Sequence, residues 1–93
     1  MSVVAVGPGD DVAALARGAG GDVVLVAGPG MDALELARAL ASVGPLAVEL
    51  APAARINVVV AGEGAEPDDV AAAARFLDGA RSTTGQVLEV GPR

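Results

Sequence analysis

The amino-acid sequence predicts an α/β fold in which four parallel strands alternate with three helices. Short apolar runs, such as DVVLVA over residues 22–27 and INVVVA over residues 56–61, alternate with segments whose apolar residues recur every three or four positions. Glycine, proline or aspartate marks each change from one pattern to the other. Because strands separated by helices pair in parallel, the alternation predicts one parallel sheet in a single domain over residues 1–93.

The first half of the chain predicts two strands around a short helix. The first strand covers Ser2–Val6 and is closed by a Gly-Pro-Gly turn at residues 7–9. The second strand covers residues 22–27 and is closed by the same tripeptide at residues 28–30. The intervening helix is ended by glycines, and one of its faces is apolar at the i, i+3, i+4 and i+7 positions: Val12, Leu15, Ala16 and Ala19.

The second half predicts a long helix, a strand, a third helix and a last strand. The long helix runs from Asp32 to about Ala51, and we expect a kink or break at Gly44-Pro45 because proline removes a helical hydrogen bond. The strands cover residues 55–61 and 86–90. The third helix opens at Glu66 and has one apolar face: Val70, Ala73, Ala74 and Leu77.

The order of the strands in the sheet is left with two alternatives. In the order 1-2-3-4, three right-handed crossovers would place every helix on the same face. The second and third strands, however, are apolar at nearly every position, as strands covered on both faces are. Either the order reverses, as in 2-1-3-4, or another subunit covers the second face.

The composition excludes several classes of function. The six basic residues are all arginines, and the chain has no lysine, histidine, tyrosine, tryptophan or cysteine. A formal net charge of −6 offers no basic surface to nucleic acid or anionic lipid. Without histidine and cysteine, the commonest zinc ligands and activated nucleophiles are missing. We see no secretory signal and no apolar run long enough to span a membrane, and therefore expect a cytoplasmic protein.

The second half of the chain resembles the C-terminal half of a short-chain dehydrogenase/reductase. LAVELAP at residues 46–52 and RINVV at residues 55–59 are similar to the end of that family's catalytic helix and the strand after it. PDDVA at residues 67–71, with Phe76-Leu77, resembles its penultimate helix, and TGQVL at residues 84–88 resembles its final strand. The resemblance implies a Rossmann-like minidomain.

A weaker similarity to the same family precedes these segments. DVAAL at residues 11–15, DVV at residues 22–24 and Ala27-Gly28 resemble the helix and strand that lead to the family's Asn-Asn-Ala-Gly motif. Leu25 and Val26 replace the two asparagines of that motif. The segment that would bind substrate is reduced to residues 63–66.

The resemblance implies hydride transfer only where the family's Tyr-x-x-x-Lys pair is present. In the family, the tyrosine is the acid/base, and the lysine lowers its pKa and holds the cofactor ribose. The pair would fall near Asp32 and Leu36, and neither residue type occurs in the chain. We therefore expect no catalytic residue, no cofactor and no enzymatic activity of the chain by itself.

The two Gly-Pro-Gly turns are weak candidates for a dinucleotide site. Gly28, Gly30 and Ala33 formally match the pattern G-x-G-x-x-A, whereas the first turn has Val12 at the third position. Aspartates at the starts of the following helices would already satisfy the N–H groups that bind a phosphate. The favoured interpretation is therefore ordinary strand-to-helix turn chemistry.

Acidic and basic residues are predicted to separate to opposite edges of the sheet. Helix capping explains this distribution, with acids at helix N-termini and arginines near C-termini. The alternative is a divalent cation or a cationic partner on oxygen ligands, for which Asp10, Asp32 and Glu63 are the candidates. The acids expected at the carboxyl edge are Asp10, Asp11, Asp32, Glu63, Glu66, Asp68 and Asp69, and the arginines expected towards the other edge are Arg17, Arg55, Arg75 and Arg81.

The long helix carries an uncharged stretch over residues 39–48. Its apolar stripe is either buried core or a subunit interface. In the resembled family the corresponding helix packs in a dimer interface, and the final strand with the penultimate helix forms another. The residues expected at an interface are Leu36, Leu40, Val43, Leu46 and Val87.

These observations predict a non-catalytic, short-chain-dehydrogenase-like subunit with a structural or regulatory role. Its partner is a second copy of the chain or a full-length dehydrogenase-like chain. One alternative is a small nucleotide- or cation-binding module. Another is a subunit that contributes to a dehydrogenase completed by a partner chain.

Overall fold

Strands and helices alternate strictly along residues 2–93, the part of the chain that the computed structural model describes. The four strands form one parallel sheet in the order β1-β2-β3-β4, which confirms the predicted α/β fold with three helices. No helix in this part of the chain is both long and apolar enough to cross a bilayer. The elements are β1 (Ser2–Val6), α1 (Val12–Gly18), β2 (Val23–Ala27), α2 (Ala33–Leu50), β3 (Ile56–Ala61), α3 (Pro67–Gly79) and β4 (Val87–Val90).

The helices cover both faces of the sheet. α1 and α2 pack on the face from which Leu25 and Val58 project, and α3 packs on the other face against Val24 and Val59. In a parallel sheet in chain order, this arrangement requires the third crossover to have the opposite hand to the first two. Because right-handed crossovers predominate, β3-α3-β4 is the left-handed one. Of the two predicted strand orders, 1-2-3-4 is therefore confirmed and 2-1-3-4 is wrong. The expectation that the sequential order leaves the second face to another subunit is also wrong, because α3 of the same chain packs on that face.

Arg55, directly before β3, holds the end of α3. Its backbone N–H and its Nε donate to the two carboxylate oxygens of Asp22, at 2.8 and 3.0 Å. Its guanidinium also donates to the carbonyl oxygens of Leu77, Asp78 and Ala80, at 3.3, 3.1 and 2.8 Å. Carbonyls in the last turn of a helix have no partner within the helix. Arg55 donates to two of them, those of Leu77 and Asp78, and to the carbonyl of the C-cap residue Ala80, and so holds the end of α3.

Asn57 ties the connection between α3 and β4 to the sheet. Its side chain is 1% exposed; Nδ2 donates to the carbonyl of Thr83, and Oδ1 accepts from the N–H of Gln86, both at 3.0 Å. Thr84 Oγ1 accepts from the N–H of Ile56 at 3.0 Å. These bonds place the start of β4 beside β3.

α2 continues through Pro45, so the expected break was wrong. Gly44 precedes this proline and has no Cβ to clash with its ring, which removes part of the usual penalty. Pro45 also lies on the exposed side of the helix, where water can reach the carbonyl of Ala41 that the missing N–H would have bonded.

We expect Asn57→Ala to lower the free energy of unfolding by about 1–3 kcal/mol, because it removes two hydrogen bonds, one to the Thr83 carbonyl and one from the Gln86 N–H. Urea denaturation at pH 7 measures the change. Ser82→Ala, which removes an exposed hydroxyl from the same connection, is the matched control and should change little. An unchanged stability of Asn57→Ala would show that these bonds do not hold the crossover.

The Asp22–Arg55 pair predicts a pH dependence of stability. The N–H and guanidinium of Arg55 hold the pKa of the Asp22 carboxyl below its ordinary value. A carboxyl whose pKa is lower in the folded state contributes stability above its unfolded pKa of about 3.9, and loses it as the pH falls through the folded pKa. Asp22→Asn should therefore have a lower free energy of unfolding than the wild type at pH 7. The difference between the two free energies should narrow below about pH 4. Denaturation at pH 7, 4 and 3 tests this, with the exposed loop variant Glu63→Gln as the control; a gap that stays constant contradicts it.

Candidate functional site

The loops that follow β1, β2 and β3 meet at the carboxyl edge of the sheet, where α/β proteins usually bind ligands. Gly9 and Gly30, the last residues of the two Gly-Pro-Gly turns, have φ values of 82° and 108°. Residues that carry a side chain rarely adopt this backbone conformation, so both positions require glycine for the turn itself. The turn conformation thus explains Gly9 and Gly30 without a ligand.

The acids at this edge are bound to backbone N–H groups. Asp11 accepts from the N–H of Ala14 at 3.1 Å, and Asp32 accepts from the N–H of Glu35 at 2.8 Å. Asp11 and Asp32 therefore cap α1 and α2, which confirms the capping interpretation for these two residues. α3 differs, because its N-cap residue Glu66 makes no side-chain bond.

The first Gly-Pro-Gly turn is closed by two further carboxylates. Asp10 accepts from the N–H of Gly7 at 2.9 Å, and Glu35 Oε2, reaching across from α2, accepts from the N–H of Gly9 at 3.1 Å. A phosphate would have to displace these carboxylates and overcome their charge.

A cleft of about 340 Å³ lies beside this turn, between α1 and α2. Asp10, Asp11 and Glu35 line it together with one cation, Arg38, over a floor of apolar side chains. The hydroxyl of Ser42 also lines the cleft, but it donates back to its own helix, at 2.9 Å to the Ala39 carbonyl. The cleft holds no histidine or lysine that could activate this hydroxyl, and its mixed charges do not form a phosphate site.

The predicted cation ligands do not come together. Within residues 2–93, no group of three or more acidic side chains is placed so that it could hold a metal ion. Asp10 and Asp32 are occupied as described above, and Glu63 is exposed in the loop before α3. At the start of α3, Asp69 accepts from Nη2 and Nε of Arg93, at 2.7 and 2.8 Å, which lowers the pKa of its carboxyl.

The two positions at which the catalytic pair of the resembled family would fall carry neither tyrosine nor lysine. Asp32 is the N-cap of α2, and Leu36 packs against the core between α2 and the sheet. The fold nevertheless follows the order of elements that the resemblance implies, from α1 to β4. Residues 9–90 match the family described as short chain dehydrogenase-like protein.

The chain belongs to this short-chain dehydrogenase-like family. The match spans the chain from the first Gly-Pro-Gly turn to the end of β4, and it confirms the family resemblance seen in the sequence. No curated protein and no solved structure matches the chain.

In this short-chain dehydrogenase-like chain, the stripe of α2 that was predicted as an interface faces inward. Val43 and Leu46 are 2% and 4% exposed in the core, and Leu36 and Leu40 pack against them. The core alternative therefore applies to these four residues, because the chain's own sheet already covers them. Val87, the fifth, lies on the edge strand β4 and is 37% exposed.

The opposite side of α2 is also apolar, and all of it is exposed. The separations of three and four residues along this side place its members on one face, diametrically opposite the buried stripe. In the sequence this side is indicated by the uncharged stretch over residues 39–48, because a helix with one buried stripe would carry charged residues on its other side. We call this side the outer stripe of α2; its residues are Leu34, Ala37, Ala41, Pro45 and Val48.

We expect the chain to bind neither NAD nor NADP. The N–H groups at the starts of α1 and α2 are already bound to carboxylates, and these carboxylates repel a pyrophosphate. Calorimetric titration with millimolar cofactor should give no saturable heat. Saturable heat that Gly28→Val abolishes would place a dinucleotide site in the second Gly-Pro-Gly turn and contradict this expectation.

Proposed function

We propose that the protein is a non-catalytic short-chain dehydrogenase-like subunit with a structural role, which assembles through the outer stripe of α2. The observation that carries the proposal is the exposure of this stripe, since Leu34 is 61% and Val48 81% exposed on the same face of one helix. Burying such side chains is favourable by roughly 25 cal/mol per Å² of apolar surface. Charged side chains flank the stripe but do not interrupt it.

The non-catalytic part of the proposal rests on the side chains at the family's reactive positions. A tyrosine hydroxyl held by a lysine is replaced by a helix cap, Asp32, and by a packed leucine, Leu36. The cleft nearby offers carboxylates, one arginine and the Ser42 hydroxyl, which donates to its own helix and has no histidine or lysine beside it. The outer stripe of α2 supports the other part of the proposal, which is assembly.

A second copy of the chain fits the outer stripe. In an antiparallel pair of α2 helices with a two-fold axis at Ala41, Leu34 faces Val48 of the other copy, and Ala37 faces Pro45. The larger side chains then meet at the two ends, and the smallest lies at the crossing point, where it allows the helices to approach closely. An isologous interface requires this reciprocity.

Charge also favours this surface. Each copy carries a formal net charge of −6, so two copies repel one another over most approaches. Along the outer stripe neither copy presents an acid, and the antiparallel helix dipoles attract one another weakly. A full-length dehydrogenase-like chain that occupies the stripe instead would be recovered as a hetero-oligomer.

Ala41→Glu tests the proposal. We expect the variant to keep its helical circular dichroism, because residue 41 is exposed, and to sediment with half the mass of the wild type. An unpaired carboxylate at the two-fold axis should raise the dissociation constant at least about a hundredfold, equivalent to about 2.7 kcal/mol. Sedimentation velocity between about 1 and 100 µM covers the range of a micromolar interface.

Two further variants make the result specific to the outer stripe. Ala72→Glu places the same charge on an exposed alanine of α3 and should leave the mass unchanged. Leu40→Glu, on the inward side of α2, should unfold the protein because it buries a charge in the core. A mass that Ala41→Glu does not change would refute assembly through this surface.

A further inference from the structure

The outer edge of β1 presents free main-chain groups. The N–H of Ser2 donates to the carbonyl of Asp22 at 3.2 Å, and the register pairs Ser2 with Val23 through to Val6 with Ala27. In a parallel ladder, alternate residues bond to the neighbouring strand. Val3 and Ala5 therefore direct their N–H and C=O groups away from the sheet, and within residues 2–93 these groups have no partner.

The side chains along this edge are apolar and one face is open. α3 packs over β2, β3 and β4 but does not reach β1, so Val3 is 53% exposed and Ala5 is exposed beside it. β1 carries no charge and no proline, the devices by which edge strands usually avoid pairing. The other edge strand, β4, is interrupted by Glu89.

α1 extends the same apolar edge on the opposite face of the sheet. Its buried residues, Val12 and Ala16, face the sheet, and Arg17 on its α2 side pairs with Glu49 at 2.7 Å. At 100° per residue, Leu15 and Gly18 fall on the flank that points away from α2. Leu15 is half-buried there, above the open edge of β1.

We propose that β1 pairs antiparallel with β1 of a second copy about a two-fold axis at Val4. This register sets Val3 opposite Ala5 of the other copy, and the two residues exchange both N–H···O=C bonds. The two-fold axis repeats this exchange between Ala5 and Val3 of the other copy. The resulting four hydrogen bonds satisfy every outward N–H and C=O of Val3 and Ala5 in both copies. The two sheets become one of eight strands, through a surface separate from the outer stripe of α2.

The lack of charge on β1 permits pairing with a second copy, and the position of α1 favours a second copy over another chain. Two molecules of net charge −6 approach most easily where neither presents a charge, and β1 has none. α1 packs above β1 and β2, so strand pairing at about 4.8 Å sets the two α1 axes about 10 Å apart. Helices pack at about that distance, which brings Leu15 and Gly18 of both copies into contact.

The test uses Ala41→Glu as the parent, so that assembly through α2 does not mask the β1 edge. We expect this parent to remain a dimer and Ala41→Glu/Ala5→Pro to be a monomer with unchanged circular dichroism. Proline at position 5 removes an N–H that the chain itself does not use, and edge strands tolerate proline at such positions. Ala41→Glu/Ala5→Ser keeps the N–H and should remain dimeric.

The outcomes separate the two surfaces. If the α2 proposal fails, the wild type serves as the parent, and Ala5→Pro alone should halve its mass. A parent that is monomeric at about 100 µM, a concentration that populates even weak dimers, overturns the β1 proposal, as does a proline variant that is folded and still dimeric.

Amide hydrogen exchange gives an independent readout on the wild type. The Val3 and Ala5 amides should exchange at least about tenfold more slowly than in the Ala41→Glu variant diluted below its dimer dissociation constant. Exchange of both amides at the unprotected rate in concentrated wild type would show that the edge is open and the proposal wrong.

Discussion

The position of α3 depends on two side chains at the start of β3. Arg55 binds the last carbonyls of α3 together with Asp22, and Asn57 binds the chain that returns to β4. A left-handed crossover lacks the twist relation that makes right-handed ones common, so specific contacts have to fix its course. Arg55 and Asn57 supply such contacts. Arg55 acts where the connection leaves α3, and Asn57 acts where it enters β4.

The placement of α3 explains why the four strands differ in composition. With helices on both faces, β2 and β3 are covered on either side and are apolar at nearly every position. β4 alternates exposed and half-buried residues, as an edge strand with one packed face does. β1 is the exception, because it is at an edge and half open yet is apolar at every position after Ser2. That mismatch between sequence and surroundings is what a strand covered by a partner would show.

Local patterns predicted the elements well, because turn residues and apolar periodicity act over a few residues. β1 begins and ends where predicted, and the other strands begin one residue later. The hand of the third crossover could not be predicted, since it depends on contacts such as Asn57 to Thr83, 26 residues apart. The inward side of α2 was also ambiguous. A helix that is apolar on two opposite sides does not reveal from its periodicity which side meets the sheet.

The domain buries little apolar surface in its own core, and this gives its exposed apolar surfaces a role in the proposed function. The buried residues are mostly valine and alanine, each of which contributes little burial, and a chain of 93 residues buries a smaller share of its surface than a larger domain does. The family fold is kept, while the carboxyl edge is occupied by the chain's own caps and the reactive positions carry none of the family's acid–base groups. Apolar side chains on the outer stripe of α2 contribute no burial to a monomer, because they stay in water in the folded state as in the unfolded one. Burial in the proposed assembly would add their apolar surface to a domain whose own core is small.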